Sequence, residues 1–322
     1  MKPFIVAELS ASHCGSVEQA LQLIAAAADA GADAVKLQTW HTMTVSDQVI
    51  ERGPWAGRGM ADLYDECRTP WAWHEVIFAL ASNLGIEAFS TPFDEASVDF
   101  LESLGCPRYK IASFEITDLP LIRYVAATGK PIIISTGMAT MPEIAAAVRA
   151  AKAAPDVTLL HCVSAYPAQS SDYSLATMLA MRGMARYVGV SDHTNDSTVG
   201  AAAAVLGADV IEKHIGFGMG PDKDFAPGTA EFRRYVADVR AAAGAVGEVR
   251  FGPQGAEVDS LQFRRSVWVT KDVPEGGILT GDNVAVLRPE GGIAPDRISS
   301  VIGLRTTRAL AHGQPLTEED FA

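Results

Sequence analysis

The feature that most restricts this chain is an alternation of short β-rich runs with Ala-rich helical stretches, recurring roughly every 25–35 residues. Strands separated by helices are joined by crossovers, and crossovers make neighbouring strands parallel. The runs FIVAEL (4–9), AVKLQT (34–39), EAFSTP (87–92), RYKIAS (108–113), PIIIST (131–136), VTLLHCVS (157–164), YVGVSD (187–192) and VIEKHI (210–215) are eight such strands. Eight is the number that closes a (β/α)8 TIM barrel. Helical pattern fills 17–30, 141–153 and 198–206, and Gly31, Gly85, Gly105, Gly129 and Gly207 stand just past helical segments, where left-handed backbone is wanted.

The pattern sets the domain organisation. Helical periodicity ends near residue 247, which bounds a barrel domain at 1–247. Residues 248–264 carry Gly, Pro and charge without a period and read as a linker. Beyond it, 265–322 is a small, mostly β module with expected strands at 266–270, 285–289 and 306–310, separated by PEGG, EGG and HGQP turn signals. A module of about 60 residues is marginal alone and is expected to lean on another surface. The one long excursion, 40–70, is rich in Gly, Trp and Met, and part of it is expected to cover the barrel mouth.

Composition narrows the partners. Lys+Arg 26 against Asp+Glu 39 leaves a formal charge of −13, which repels phosphate polymers and argues against nucleic acid. No apolar run approaches the ~18 residues of a membrane span, so no membrane partner is expected. The opening MKPFIVAELS lacks a signal-peptide layout and reads as a first strand. Cys14, Cys67, Cys106 and Cys162 form no C-x-x-C pair; they suit a reducing cytoplasm, with each thiol a small apolar filler.

Barrel enzymes build their sites at the C-terminal ends of strands. Those ends are polar here: Lys36, Lys110 and Lys213 fall late in apolar strands, beside Thr91, Ser113, Ser135 and Ser191. Buried lysines need negative charge. A salt bridge to Glu8, Glu115 or Glu212 answers that need for any one of them, whereas three lysines on one rim point to a pocket for a small phosphorylated or carboxylated substrate. His193 and His214 end the seventh and eighth strands, and adjacent strands lie ~4.8 Å apart, so both imidazoles can reach one ion. From spacing alone, an open metal site and a lone functional histidine beside an unrelated one stand equal. His13 reads as a satisfied loop histidine and His161 as core. No G-x-G-x-x-G and no P-loop is present, so no nucleotide site is signalled.

The segments AELSASHCGS (7–16), AVKLQT (34–39), FSTPFD (89–94), YKIASFE (109–115), KPIIISTGMAT (130–140), LLHCVSAYPA (159–168), VGVSDHT (188–194), IEKHI (211–215) and GPDKDF (220–225), in this order, closely resemble the sialic acid synthase family. The tail 266–293 with 302–321 is similar to that family's C-terminal antifreeze-like (SAF) domain. Within the family, 53–74, 112–122 and 164–168 look like the pseudaminic acid synthase branch.

The resemblance implies a phosphoenolpyruvate-dependent transferase that condenses phosphoenolpyruvate with the aldehyde of an N-acylated amino sugar. It implies that Lys36, Thr91, Lys110, Ser113, Ser135 and Ser191 hold phosphoenolpyruvate. His193 and His214 would ligate a divalent metal, manganese, magnesium or cobalt, and Glu8 would handle protons. Gln38, Tyr166 and Asp222 would lie on the sugar side. Arg288 would reach the sugar site of the partner subunit in a domain-swapped homodimer. The sequence departs from the family at Ser12 and Cys14, where asparagines are usual, at Lys223 and Asp224 after GPD, and at Ile215 in place of phenylalanine. These departures put the sugar contacts in question more than the chemistry. An N-acetylneuraminate or legionaminate synthase, a non-catalytic sugar-binding relative and a Schiff-base aldolase are the competing readings.

Overall fold

A computed structural model describes residues 2–41, 45 and 47–322. In the 40–70 excursion, residues 42–44 and 46 therefore lie outside the described residues. The chain divides into two compact units, Met1–Gly247 and Glu248–Ala322.

The first unit is a closed parallel barrel in the order of the sequence: β1 (Phe4–Glu8), β2 (Ala34–Thr39), β3 (Glu87–Pro92), β4 (Tyr109–Ile111), β5 (Ile132–Ser135), β6 (Val157–Cys162), β7 (Tyr187–Asp192) and β8 (Val210–His214), with β8 pairing back onto β1. The helices between them are α1 (Val17–Ala30), α2 (Met60–Cys67), α3 (Trp71–Asn83), α4 (Glu95–Ser103), α5 (Leu119–Ala127), α6 (Met141–Ala150), α7 (Ala176–Ala180) and α8 (Thr198–Val205), and α9 (Thr229–Val246) closes the ring. Strands such as IIIS in β5 are buried throughout, which is why they read as continuous apolar runs and not as alternating ones. Helix starts follow capping chemistry: Ser16 caps α1, Asp94 caps α4 and Asp118 caps α5. Gly31, one of the five glycines expected in left-handed backbone, has φ 88° and closes α1 on the carbonyls of Ala27 and Ala28; the other four share its positive φ.

Period-2 geometry determines what the barrel mouth receives. Along each strand successive side chains alternate between the barrel axis and the helix layer. Lys36 and Gln38 of β2, Ser191 of β7 with His193 just beyond it, and Glu212 and His214 of β8 share the inward set, while Asp192 and Lys213 between them face outward.

In the second unit, β9 (Ser266–Val269) pairs antiparallel with β10 (Val284–Leu287), and α10 (Ile298–Val301) follows. Val267, Val269, Leu279, Val284, Leu310 and Leu316 are among its core residues. The expected third strand at 306–310 does not form. That stretch makes single bridges to successive partners, Thr306 to Phe321 and Leu310 to Val273, so no ladder of consecutive pairs builds up. Residues 255–263, inside the expected linker, wind as 3-10 turns that bury no side chain.

Candidate active site at the barrel mouth

The C-terminal ends of the eight strands open into a cavity of about 350 Å³. One wall is basic and hydroxylic. Lys36 forms an ion pair with Glu8 and donates to Thr91 Oγ1 at 3.1 Å. Lys110 donates to Ser135 Oγ at 2.6 Å and to the Ile111 carbonyl at 3.3 Å. Glu212 sits between the two lysines, 3.8 Å from Lys110 and 3.9 Å from Lys36, and accepts from Ser191 Oγ at 2.9 Å. Ser113, also on the wall, accepts from the Gly137 N–H at 3.1 Å.

The electrostatics of this wall are tightly coupled. Burial alone would raise the Glu212 carboxyl, but Lys110 and Lys36 flank it and Ser191 donates to it, and together they hold it down to about 2. Burial also raises the Glu8 carboxyl, against the pull of Lys36. Burial lowers Lys110, against the pull of Glu212.

The opposite wall carries the two histidines, with ring centroids 5.4 Å apart. His193 is closely held. Its Nδ1 lies 2.9 Å from the Val163 carbonyl, and because a carbonyl can only accept, that contact places a proton on Nδ1; Nε2 stands 3.5 Å from Ser191 Oγ, whose own proton goes to Glu212, so that hydroxyl does not take up the Nε2 lone pair. His214 Nδ1 is buried without a hydrogen-bond partner, 3.4 Å from the Asp222 carboxylate. Asp222 also accepts from the Ala11 N–H at 3.2 Å, which ties the loop after β8 to the loop after β1.

Two imidazoles, one oriented with an open nitrogen and the other with an unpartnered one, fit a divalent ion that takes its remaining ligands from water or substrate. Among the described residues no set of three His, Cys, Asp or Glu side chains is gathered for a metal, so any ion here would keep open positions.

The outer part of the cavity is aromatic. Tyr166 lies tilted against the His193 ring at 4.3 Å and against Phe225 at 4.9 Å, and Trp55 lies 5.4 Å from Tyr166. Trp55 comes from the 40–70 excursion and donates its indole N–H to the Pro221 carbonyl at 3.0 Å. Ile50, Met60, Leu63 and Tyr64 from the same excursion complete this side. Gln38 donates to Ser10 Oγ at 2.6 Å at the edge of the cavity.

Most of the barrel residues singled out in the sequence therefore converge on one cavity, Lys213 excepted. Lys213 is not an anion contact. It faces the helix layer, paired with Asp192 at 3.5 Å and set over the Tyr235 ring, because it stands one residue from the inward-facing His214 and a single step along a strand reverses the face. Arg288 lies in the second unit, exposed and just past β10. The departures Ser12, Cys14, Lys223 and Asp224 do not line the cavity; Ser12 is buried and Lys223 and Asp224 are exposed. Glu212, named in the sequence only as a counter-charge for the lysines, and Cys162, read as an apolar filler, also line it, as do Trp55 and Phe225, which the sequence did not single out. The strand period could have found Glu212, which stands two residues before His214. Trp55 had no such signal, because a long loop has no period to fix its direction.

The NeuB family profile matches residues 23–251, and the SAF domain profile matches 264–322. The chain belongs to the NeuB family. This NeuB-family chain is 37% identical to the pseudaminic acid synthase of Campylobacter jejuni serotype O:23/36, over 99% of its own length and 97% of that protein. It is 34% identical to the N,N'-diacetyllegionaminic acid synthase of Legionella pneumophila, over 99% of its length and 94% of that protein. Among solved structures it resembles the N-acetylneuraminic acid (sialic acid) synthetase of Leptospira borgpetersenii in complex with citrate. The TM-score is 0.69 at 27% identity, covering 82% of this chain and 92% of that one. Membership agrees with the motif resemblance, and among the described residues no helix is long and apolar enough to cross a membrane.

Proposed function

We propose that this protein condenses phosphoenolpyruvate with the open-chain aldehyde of an N-acylated diamino 6-deoxy hexose, of the 2,4-diacetamido-2,4,6-trideoxy-altrose type. The products are a nine-carbon 2-keto sugar acid of the pseudaminic type and phosphate. Residues 1–247 are the catalytic barrel, 248–264 the linker and 265–322 the SAF domain. One observation carries the reading: a single cavity sets two lysines with their hydroxyl partners against two imidazoles, with an aromatic wall beyond them. The full-length similarity to a pseudaminic acid synthase supports the choice of acceptor.

Lys36 and Lys110, with Thr91, Ser113, Ser135 and Ser191, bind the phosphate and carboxylate of phosphoenolpyruvate, and the acceptor lies toward Gln38, Tyr166 and Asp222. A divalent ion (manganese, magnesium or cobalt) held by His193 and His214 would supply Lewis-acid polarisation of the aldehyde oxygen. C3 of the enol bonds to the aldehyde carbon, water adds at C2, and the C2–O bond to phosphate breaks, so phosphoenolpyruvate, aldehyde and water become the 2-keto acid and phosphate. Lys36 and Lys110 stabilise the departing phosphate by charge already in place. Glu8, whose carboxyl burial raises and which contacts Lys36, exchanges the proton that water gives up as it adds at C2.

Charge sharpens this reading. The cavity holds Lys36 and Lys110 against Glu8, Glu212 and Asp222, so protein side chains alone do not make it an anion trap. A trianionic substrate is offset only when further positive charge joins them, which suits a bound cation beside the histidines.

The acceptor class rests on the aromatic wall. Trp55, Tyr166 and Phe225 with Ile50 and Leu63 form an apolar end that suits a methyl at C6 and acyl methyls better than a 6-hydroxyl, whose desolvation there would go uncompensated. The SAF domain is proposed to complete the site of a second copy in a domain-swapped homodimer, with Arg288 as the sugar contact. The deciding assay is phosphate release from phosphoenolpyruvate with 6-deoxy and 6-hydroxy acylated amino sugars side by side, with and without chelator. Release only with metal and a 6-deoxy acceptor is expected; no release with any of them would sink the proposal.

A further inference from the structure

Behind the two histidines, on the face of β7 and β8 turned toward the helices, lies a buried polar cluster that the chemistry above does not use. Asp192 and Lys213 stand opposite each other in register, both essentially inaccessible, with 3.5 Å between carboxylate and ammonium. Asp192 Oδ1 accepts from the N–H and hydroxyl of Thr194 at 2.9 and 2.7 Å, and Oδ2 accepts from the Tyr235 hydroxyl of α9 at 2.9 Å. Lys213 donates to the Thr194 carbonyl, and its ammonium stands 5.1 Å from the centre of the Tyr235 ring.

A buried ion pair is a poor source of stability, because well-packed apolar residues in its place do as well or better. Its effect is on geometry. The residues on both sides of His193 and the one before His214 are tied into one unit, so β7 cannot shift against β8 without leaving a charge unpaired. His193 is held in addition by Tyr173, whose hydroxyl donates to the Ser191 carbonyl at 2.7 Å and accepts the His193 N–H at 2.8 Å.

We propose that Asp192, Lys213, Thr194 and Tyr235 form a positioning clamp that sets the separation and aim of the His193 and His214 imidazoles, and so the affinity of that pair for a divalent ion. The inference rests on the metal reading above. Its test is the binding of Mn2+ to the full-length protein without substrate, followed by the spin-resonance signal of the free ion. The His193→Ala variant reports on the metal reading, and the clamp is probed with the double variant Asp192→Leu/Lys213→Met and with Tyr235→Phe.

The double variant exchanges the pair for apolar side chains, and it is expected to keep a cooperative unfolding transition while binding Mn2+ about tenfold or more weakly. Tyr235→Phe, which removes one hydroxyl and keeps the ring, is expected to fall between it and the parent. Mn2+ affinity within about twofold of the parent in the folded double variant would overturn the clamp; should the double variant fail to fold, the same result in Tyr235→Phe would overturn it. Equal binding by the parent and His193→Ala would instead refute the metal reading, and this inference with it.

Discussion

Lys36, Lys110 and Lys213 look alike in the sequence, each a cation late in an apolar strand, yet only the first two reach the cavity. The difference is parity. His214 and Glu212 face the axis, so Lys213 between them cannot, and applying the strand period to IEKHI would have separated it from the other two. The two inward lysines carry a direct prediction. Lys110→Met removes a donor to the proposed phosphate and leaves Glu212 with Lys36 as its remaining near cation. It should lower kcat/KM for phosphoenolpyruvate by about 10²–10³ in a steady-state phosphate-release assay, with KM for the sugar little changed. Glu115 makes a second prediction. Burial lifts its carboxyl from 4.5 to about 7, against Lys110. The folded chain thus holds a proton that the unfolded chain has lost between those two values, and stability falls as pH rises through that window. Glu115→Gln is expected to raise stability by about 2–3 kcal/mol at pH 8 and to leave it unchanged at pH 4, read from urea midpoints at the two pH values.

At the scale of elements, the barrel strands were legible because burial on both faces makes each a bounded apolar run, and the glycines past α1 and α8 mark where the helices stop. The stretch 306–310 was not. TTRAL has the composition of a strand, but pairing is a property of two segments, and here each partner supplies a single bridge. The excursion 40–70 was legible as a cover for the mouth only in outline; that Trp55 stands beside Tyr166 depends on its bond to Pro221, a contact between segments far apart in sequence. Helix α8 shows the same dependence in reverse. Gly200 in TVGAAAAV reads as a weak point that alanine would repair. In the fold, a Cβ there would run into the Tyr235 hydroxyl and ring edge, and Tyr235 is the residue that holds Asp192. Gly200→Ala should therefore destabilise the chain by about 1–3 kcal/mol, as overpacking does, and not stabilise it. Chemical denaturation beside the parent decides between the two directions.

For the whole molecule, the small second unit poses the question that its size raised from the start. It has its own core, yet modules of about 60 residues gain little stability from burial alone, and Arg288 stands exposed past β10. If the SAF domain completes a neighbour's site, each active site draws its barrel from one chain and its arginine from the other. Arg288→Ala alone should then raise the sugar KM with little effect on phosphoenolpyruvate. Chains carrying Arg288→Ala and chains carrying Lys110→Met, each deficient alone, should complement when co-expressed. In a mixed dimer one site has an intact barrel and an intact arginine while the other has neither. With random pairing, half of the dimers are mixed and half of their sites are whole, so about a quarter of parental activity should return. Co-purified mixtures no more active than the average of the two variants would mean that each chain serves its own barrel, and the swapped dimer would be wrong.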